Sequence, residues 1–161
     1  MTLFSLLRSF PTVKTPRAFP VQHLSRREWR LVLILASKWG FLHVRARAIV
    51  VLTCFPAVPL TSLEKILLGR QLSITSWVID GFVKLVLRAT TITDEEALLI
   101  DIGAATTAYK LFRIREQRIV GELPSAMIKV EEIFKEELDR LRSKEELFES
   151  KKILPQARIS P

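Results

Sequence analysis

Three times along this chain a Ser or Thr stands three residues ahead of a Glu at the head of an apolar periodic run: Ser25-Arg26-Arg27-Glu28, Thr61-Ser62-Leu63-Glu64 and Thr93-Asp94-Glu95-Glu96. In such a capping box the hydroxyl accepts from the glutamate amide while the carboxylate reaches back to the amide of the cap residue. Each box therefore marks the start of a helix. Apolar residues then recur at the 3.6-residue period of a helix with one buried face. Three helix starts spread over the chain, with no segment that demands a strand, point to an all-α fold.

The helices are placed as follows. Leu24 and Trp29 flank the first box at staple positions, and the first helix runs to about Trp39, before Gly40. Its expected inner face is Trp29, Val32, Leu33, Ala36 and Trp39, with all three tryptophans of the chain, Trp77 included, at least partly buried. A second helix, from about Leu42 to Cys54, is expected to bury Ala46, Ile49 and Val50 and to expose Arg45 and Arg47, with Pro56 and Pro59 stopping it. A third carries Leu63, Ile66 and Leu67 inward. Thr75 is the expected cap of a fourth, with Trp77, Val78, Phe82, Leu85 and Val86 inside. The third box opens a helix to Gly103, its acids at the positive end of the helix dipole, and another spans about Ala104 to Arg118. Pro124 suits the first turn of a last helix, about 125–149, with Val130, Phe134, Leu138 and Leu141 as its apolar stripe and Glu131–Lys135 and Glu136–Arg140 as i,i+4 pairs. The expected fold is thus a small irregular array of about six or seven helices.

That array occupies residues 25–150. Residues 1–24 contain Pro11, Pro16 and Pro20 with Arg8, Lys14 and Arg17 and no acid, and form a flexible basic leader. Within it, Leu3, Phe4, Leu7 and Phe10 share one helical face, a pattern compatible with mitochondrial targeting. Without targeting, a cytoplasmic or nuclear place is expected. Residues 151–161 form a flexible tail. Hydrophobic residues make up 48% of the chain, enough for a core. The longest uncharged run, Ala48–Leu63, is too short to span a bilayer and contains two prolines, so a soluble protein is expected. The net charge of +8 belongs to residues 1–50, which hold nine Lys and Arg against Glu28 alone.

No catalytic, cofactor or metal residues emerge. Cys54, the single cysteine, lies in an apolar run and reads as a small buried hydrophobe. The two histidines, His23 and His43, have no nucleophile pattern near them, and the five glycines are too dispersed for a phosphate loop. One segment imitates chemistry. Ala97–Thr107, ALLIDIGAATT, resembles the phosphate-binding strand-turn of actin-like and Hsp70-like ATPases, with Asp101 as the acid near the metal. That fold requires two large lobes and more glycines at the turn, and the capping box makes Ala97–Ile102 helical instead.

Taken in order, Glu28-Trp29 through Trp39-Gly40-Phe41, Arg45-Ala46-Arg47-Ala48-Ile49, Glu64 to Arg70, Ile74-Thr75-Ser76-Trp77, Leu87-Arg88, Thr93 to Ala97 and Gly103 to Gln117 form a recognisable series. It resembles the helical region downstream of the BTB/POZ domain in fungal, mainly basidiomycete, proteins, over residues 26–118. The chain departs from that pattern at Gln71, Leu72 and Ser73, where a Tyr-Asp pair is usual, and in having the proline-containing leader where the BTB domain stands. The resemblance implies protein binding, on the substrate side of a cullin-type ubiquitin-ligase adaptor, and brings no catalytic residue. The expected function is therefore a non-enzymatic helical protein-interaction module, a truncated relative of such adaptors, with unidentified protein partners. The alternative is a basic helical nucleic-acid binder using Arg26, Arg27, Arg30, Lys38, Arg45 and Arg47; a fragment of an actin-like ATPase stands behind both.

Overall fold

The computed structural model describes residues 24–54, 60–101, 106–119 and 126–150. The expectations for the leader, the tail, Pro56, Pro59, Gly103, Pro124 and His23 lie outside them. The fold is all-α. Eight helices lie among the described residues: α1 (Arg26–Trp39), α2 (Leu42–Cys54), α3 (Ser62–Leu72), α4 (Thr75–Leu87), α5 (Asp94–Ile100), α6 (Thr106–Ile119), α7 (Ala126–Ile133) and α8 (Lys135–Ser150). There is one more than the sequence suggests because the last helix is interrupted at Phe134. The amides of Phe134 and Leu138 still bond to the carbonyls of Val130 and Phe134, at 3.0 and 2.9 Å.

All three capping boxes form. Ser25, Thr61 and Thr93 accept from the amides of Glu28, Glu64 and Glu96, and each glutamate reaches back to its cap amide. The fourth cap differs from expectation. Thr75 lies inside α4, buried, and Ile74 occupies the cap position without a side-chain bond. The Thr75 amide donates instead to Glu145 Oε2 of α8, at 3.2 Å. A free helix start is thus satisfied from across the fold.

The antiparallel pair α3–α4 is the centre of the molecule and serves two apolar clusters. On one side Ile66, Val78, Phe82, Leu85 and Val86 meet Ile100 of α5, Leu111 and Ile114 of α6, and Val130, Phe134, Leu138 and Leu141 of the last helices. The expected C-terminal stripe is fully inside, with Phe134 stacked on Phe82 at 4.4 Å between centroids. On the other side Leu68, Ile74 and Trp77 meet Trp29 and Leu33 of α1, Ala48 and Leu52 of α2, and Leu60. Trp77 Nε1 donates to Thr53 Oγ1 at 2.9 Å.

Close approach of α3 and α4 depends on two glycines. A Cβ on Gly81 would lie 2.6 Å from Ile66 Cγ1 and 2.7 Å from the Ser62 carbonyl oxygen; one on Gly69 would lie 2.7 Å from Val78 Cγ2. Because a carbonyl of a packed helix cannot swing aside, Gly81→Ala should force the pair apart. Overpacking of this kind costs roughly 1–3 kcal/mol, against a gain of about 1 kcal/mol in helix propensity. A lower melting temperature for Gly81→Ala in a thermal melt is the expected outcome, and an unchanged or higher one would show that the pair has room.

Two arginines, Arg70 half-buried and Arg115 buried, hold the remaining joints. Arg70 of α3 donates to Glu137 of α8 at 2.6 Å, to the Ile100 carbonyl of α5 at 2.5 Å and to Thr107 of α6 at 3.3 Å. Arg115 of α6 reaches the carbonyls of Ala89 and Thr90, at 2.6 and 2.7 Å, just beyond the end of α4. Among the described residues no helix is long and apolar enough to cross a membrane.

Candidate interaction surface

The sequence-derived candidates for chemistry separate in space. His43 lies exposed on α2, and Cys54 is exposed at its end, not buried as expected, because the inward positions of α2 are Arg45, Ala48 and Leu52. Asp101 is the residue after α5, and its two carboxylate oxygens accept from the amides of Thr107 and Ala108 at 2.8 and 3.0 Å. The acid that imitates a metal-proximal aspartate is therefore the N-terminal cap of α6. Ala97–Ile100 is helix rather than strand. Among the described residues no three His, Cys, Asp or Glu side chains cluster where they could hold a metal ion.

The six cations of the first two helices also divide. Arg26 and Arg30 both pair with Glu64 of α3. Arg45, expected outside, is 5% exposed. Its guanidinium donates to the carbonyls of Leu72 and Ser73 at 2.9 and 3.3 Å, closing the end of α3, and lies 4.7 Å from the centre of the Phe148 ring. Burial lowers its pKa, with Glu145 and Glu149 acting in the opposite direction. The expected face of α2 is thus turned by one residue: Ala46 and Val50 point outward. Arg27, Lys38 and Arg47 remain exposed.

What α1 and α2 present outward is largely apolar. The run Leu31-Val32-Leu33-Ile34-Leu35 is hydrophobic all round the helix, more than one buried face requires. Trp29, Leu33 and Ala36 go inward, spaced four and three apart. The next inward position is Gly40, so Trp39, expected inside, is turned off the core face and is 60% exposed. Gly40 adopts the left-handed conformation (φ 73°) and Phe41 N bonds back to the Ala36 carbonyl at 2.9 Å. This cap sets Phe41 beside Trp39, ring edge to face, 6.0 Å apart. Leu31, Leu35 and Trp39 recur every fourth residue on the outer side of α1, and Phe41 and Val44 continue the strip onto α2. Their exposures are 55%, 43%, 60%, 55% and 44%. Arg27 lies one turn before Leu31, Lys38 one turn after Leu35, and Arg47 one turn after Val44. Sequence reasoning missed this face, although the all-round hydrophobicity of LVLIL was its visible signal.

Four acids of the fold are held down by fixed partners. The Ser25 hydroxyl, then its amide, hold the Glu28 carboxyl below the usual carboxylate range. Burial raises that of Glu64, but Thr61, Arg26 and Arg30 outweigh it and the net shift is downward. Burial likewise opposes, and Lys65 with Lys84 reverses, the shift of Asp80. Arg88 holds Glu96 down, against a smaller effect of burial. Carboxyl groups whose folded values are depressed contribute stability above their unfolded values, and lose it as pH falls through the folded ones. The melting temperature should therefore hold steady from about pH 7 to about pH 5 and fall progressively below about pH 4.5. A melt series that gained stability on acidification would contradict these shifts.

No protein-family model, curated protein or solved structure matches the chain.

Proposed function

We propose that this chain is a non-enzymatic helical protein-interaction module, of the kind that follows the BTB/POZ domain in basidiomycete proteins, and that it binds its partner through the outer face of the α1–α2 hairpin. One observation carries the reading: five large apolar side chains of the hairpin, Leu31, Leu35, Trp39, Phe41 and Val44, are about half exposed, with Trp39 set against Phe41, while the core is filled by other residues. Contiguous exposed apolar surface rimmed by polar residues is characteristic of interaction sites. Covering these half-exposed side chains would contribute on the order of 1 kcal/mol each. The cations offer less to nucleic acid than the sequence promised, since Arg26, Arg30 and Arg45 are already engaged within the fold.

A photo-crosslinking amino acid placed at Leu35 of the full chain, in the cells that make it, tests this. Discrete protein adducts are expected from position 35, and none from Ser143, an exposed residue of α8. Equal labelling from both positions, or none from position 35, would contradict the proposal.

A further inference from the structure

The same face has a charge as well as a shape, and resting on the reading above, we infer that its partner is an acidic amphipathic helix. The apolar line Leu31–Leu35–Trp39 runs about 12 Å along α1, two turns and a little more. Its four-residue spacing forms a ridge of the kind that fits into the groove of another helix. The described residues of this all-α fold offer no strand to which a peptide could add an edge. A third helix laid on the hairpin would bury the strip from Leu31 through Phe41 to Val44.

Charge selects the sign of that helix. Arg27, Lys38 and Arg47 rim the strip and have no ion-pair partner among the described residues. Glu28 is the one acid on α1 or α2, and it is held at the helix start by the Ser25 hydroxyl and amide, 2.7 and 2.6 Å away. A partner with Asp or Glu beside its apolar positions would meet all three cations, whereas a basic helix would meet like charge. A second copy of this hairpin would bring the same three cations face to face, which disfavours self-association.

The test uses the full chain and a fluorescent peptide of about 18 residues, with Leu at i, i+3, i+4 and i+7 and Glu and Ala elsewhere. A second peptide carries Lys for each Glu, and vesicles of phosphatidylserine and phosphatidylcholine serve as a third probe. Fluorescence anisotropy should show the acidic peptide binding at least about ten-fold more tightly than the basic one. Binding should weaken between about 50 and about 500 mM salt. It should disappear in the Leu31→Glu/Leu35→Glu variant, whose helicity by circular dichroism should match the parent. Equal binding of the two peptides would overturn the inference. So would vesicle binding that depends on Leu31 and Leu35 while neither peptide binds, which would make the occupant a bilayer, or a dimer that the same variant dissolves. Protein adducts from position 35 without acidic-peptide binding would overturn the inference and leave the interaction-module reading standing; loss of both would remove the two together.

Discussion

Replacing Phe134 by alanine should lower the stability of the domain by about 3–5 kcal/mol, the range for an aromatic removed from a core. Phe134 is 3% exposed and stacked on Phe82, where the last helices meet α4. The apolar neighbours Val78, Leu85, Val130 and Leu138 are all fully buried in that cluster, and the Lys110 ammonium lies 5.6 Å from the centre of the Phe134 ring. Aspartate at both Phe134 and Leu138 should do more. It would remove two core side chains and strand two carboxylates, a loss comparable with the whole stability of about 5–15 kcal/mol typical of domains. The double variant should therefore fail to fold, by circular dichroism and by chemical denaturation. A folded double variant that merely lost partners would make the stripe a docking surface and would contradict its packing in cis.

The second large effect is expected at Trp77. It is 2% exposed, lies in the cluster shared by α1, α2 and α4, and donates its indole N–H to Thr53. Trp77→Ala should cost about 3–5 kcal/mol and leave the Thr53 hydroxyl without its donor. Trp39→Ala provides the contrast. With 60% of its surface in water and Phe41 edge-on to its ring, it should change stability by no more than about 1 kcal/mol. The tryptophan emission separates them as well: Trp39→Phe should shift the remaining emission to shorter wavelength, because Trp29 and Trp77 are both buried. Similar losses at positions 39 and 77 would place Trp39 in the core after all.

The features legible beforehand were those decided within a few residues of chain. The capping boxes at Ser25, Thr61 and Thr93 formed because donor, acceptor and helix start all lie within one turn. The stripe Val130, Phe134, Leu138, Leu141 and the inner face of α4 were legible because a single helical period separates core from solvent there. What failed was decided by distant residues. Arg45 reads as a surface residue until the end of α3, 27 residues away, brings the carbonyls of Leu72 and Ser73 to its guanidinium. Once that arginine turned inward, the rest of α2 turned with it, which exposed Ala46 and Val50. Thr75 lost its capping role because Ile74 holds the cap position and its carbonyl accepts from the Trp77 and Val78 amides at 3.1 and 3.4 Å, while the Thr75 amide itself donates to Glu145, 70 residues on. Glu131, expected to pair with Lys135, meets Arg142 at 3.1 Å, because the interruption at Phe134 alters the register between α7 and α8.

The exposed face follows the same logic. The helical period already left Leu31 and Leu35 off the expected inner face of α1, but Trp39 was placed on that face, so the three were not legible as one exposed line. The inward positions Trp29, Leu33 and Ala36, with Gly40 next in the series, show that Trp39 is left over with them. A face left over by a complete core is under no folding constraint to be apolar, and that is the physical reason for assigning it to binding.

This assignment is open to one decisive comparison, in which fold and binding are read on the same variant. Leu31→Glu/Leu35→Glu in the full chain should stay folded and lose no more than about 1–2 kcal/mol of stability, because about half of each side chain already stands in water. The same protein should no longer yield the partner adducts captured from a crosslinker at Val44, an untouched position of the strip. A variant that unfolds would show that the two leucines belong to the core, and one that keeps both its stability and its adducts would show that the hairpin face binds nothing.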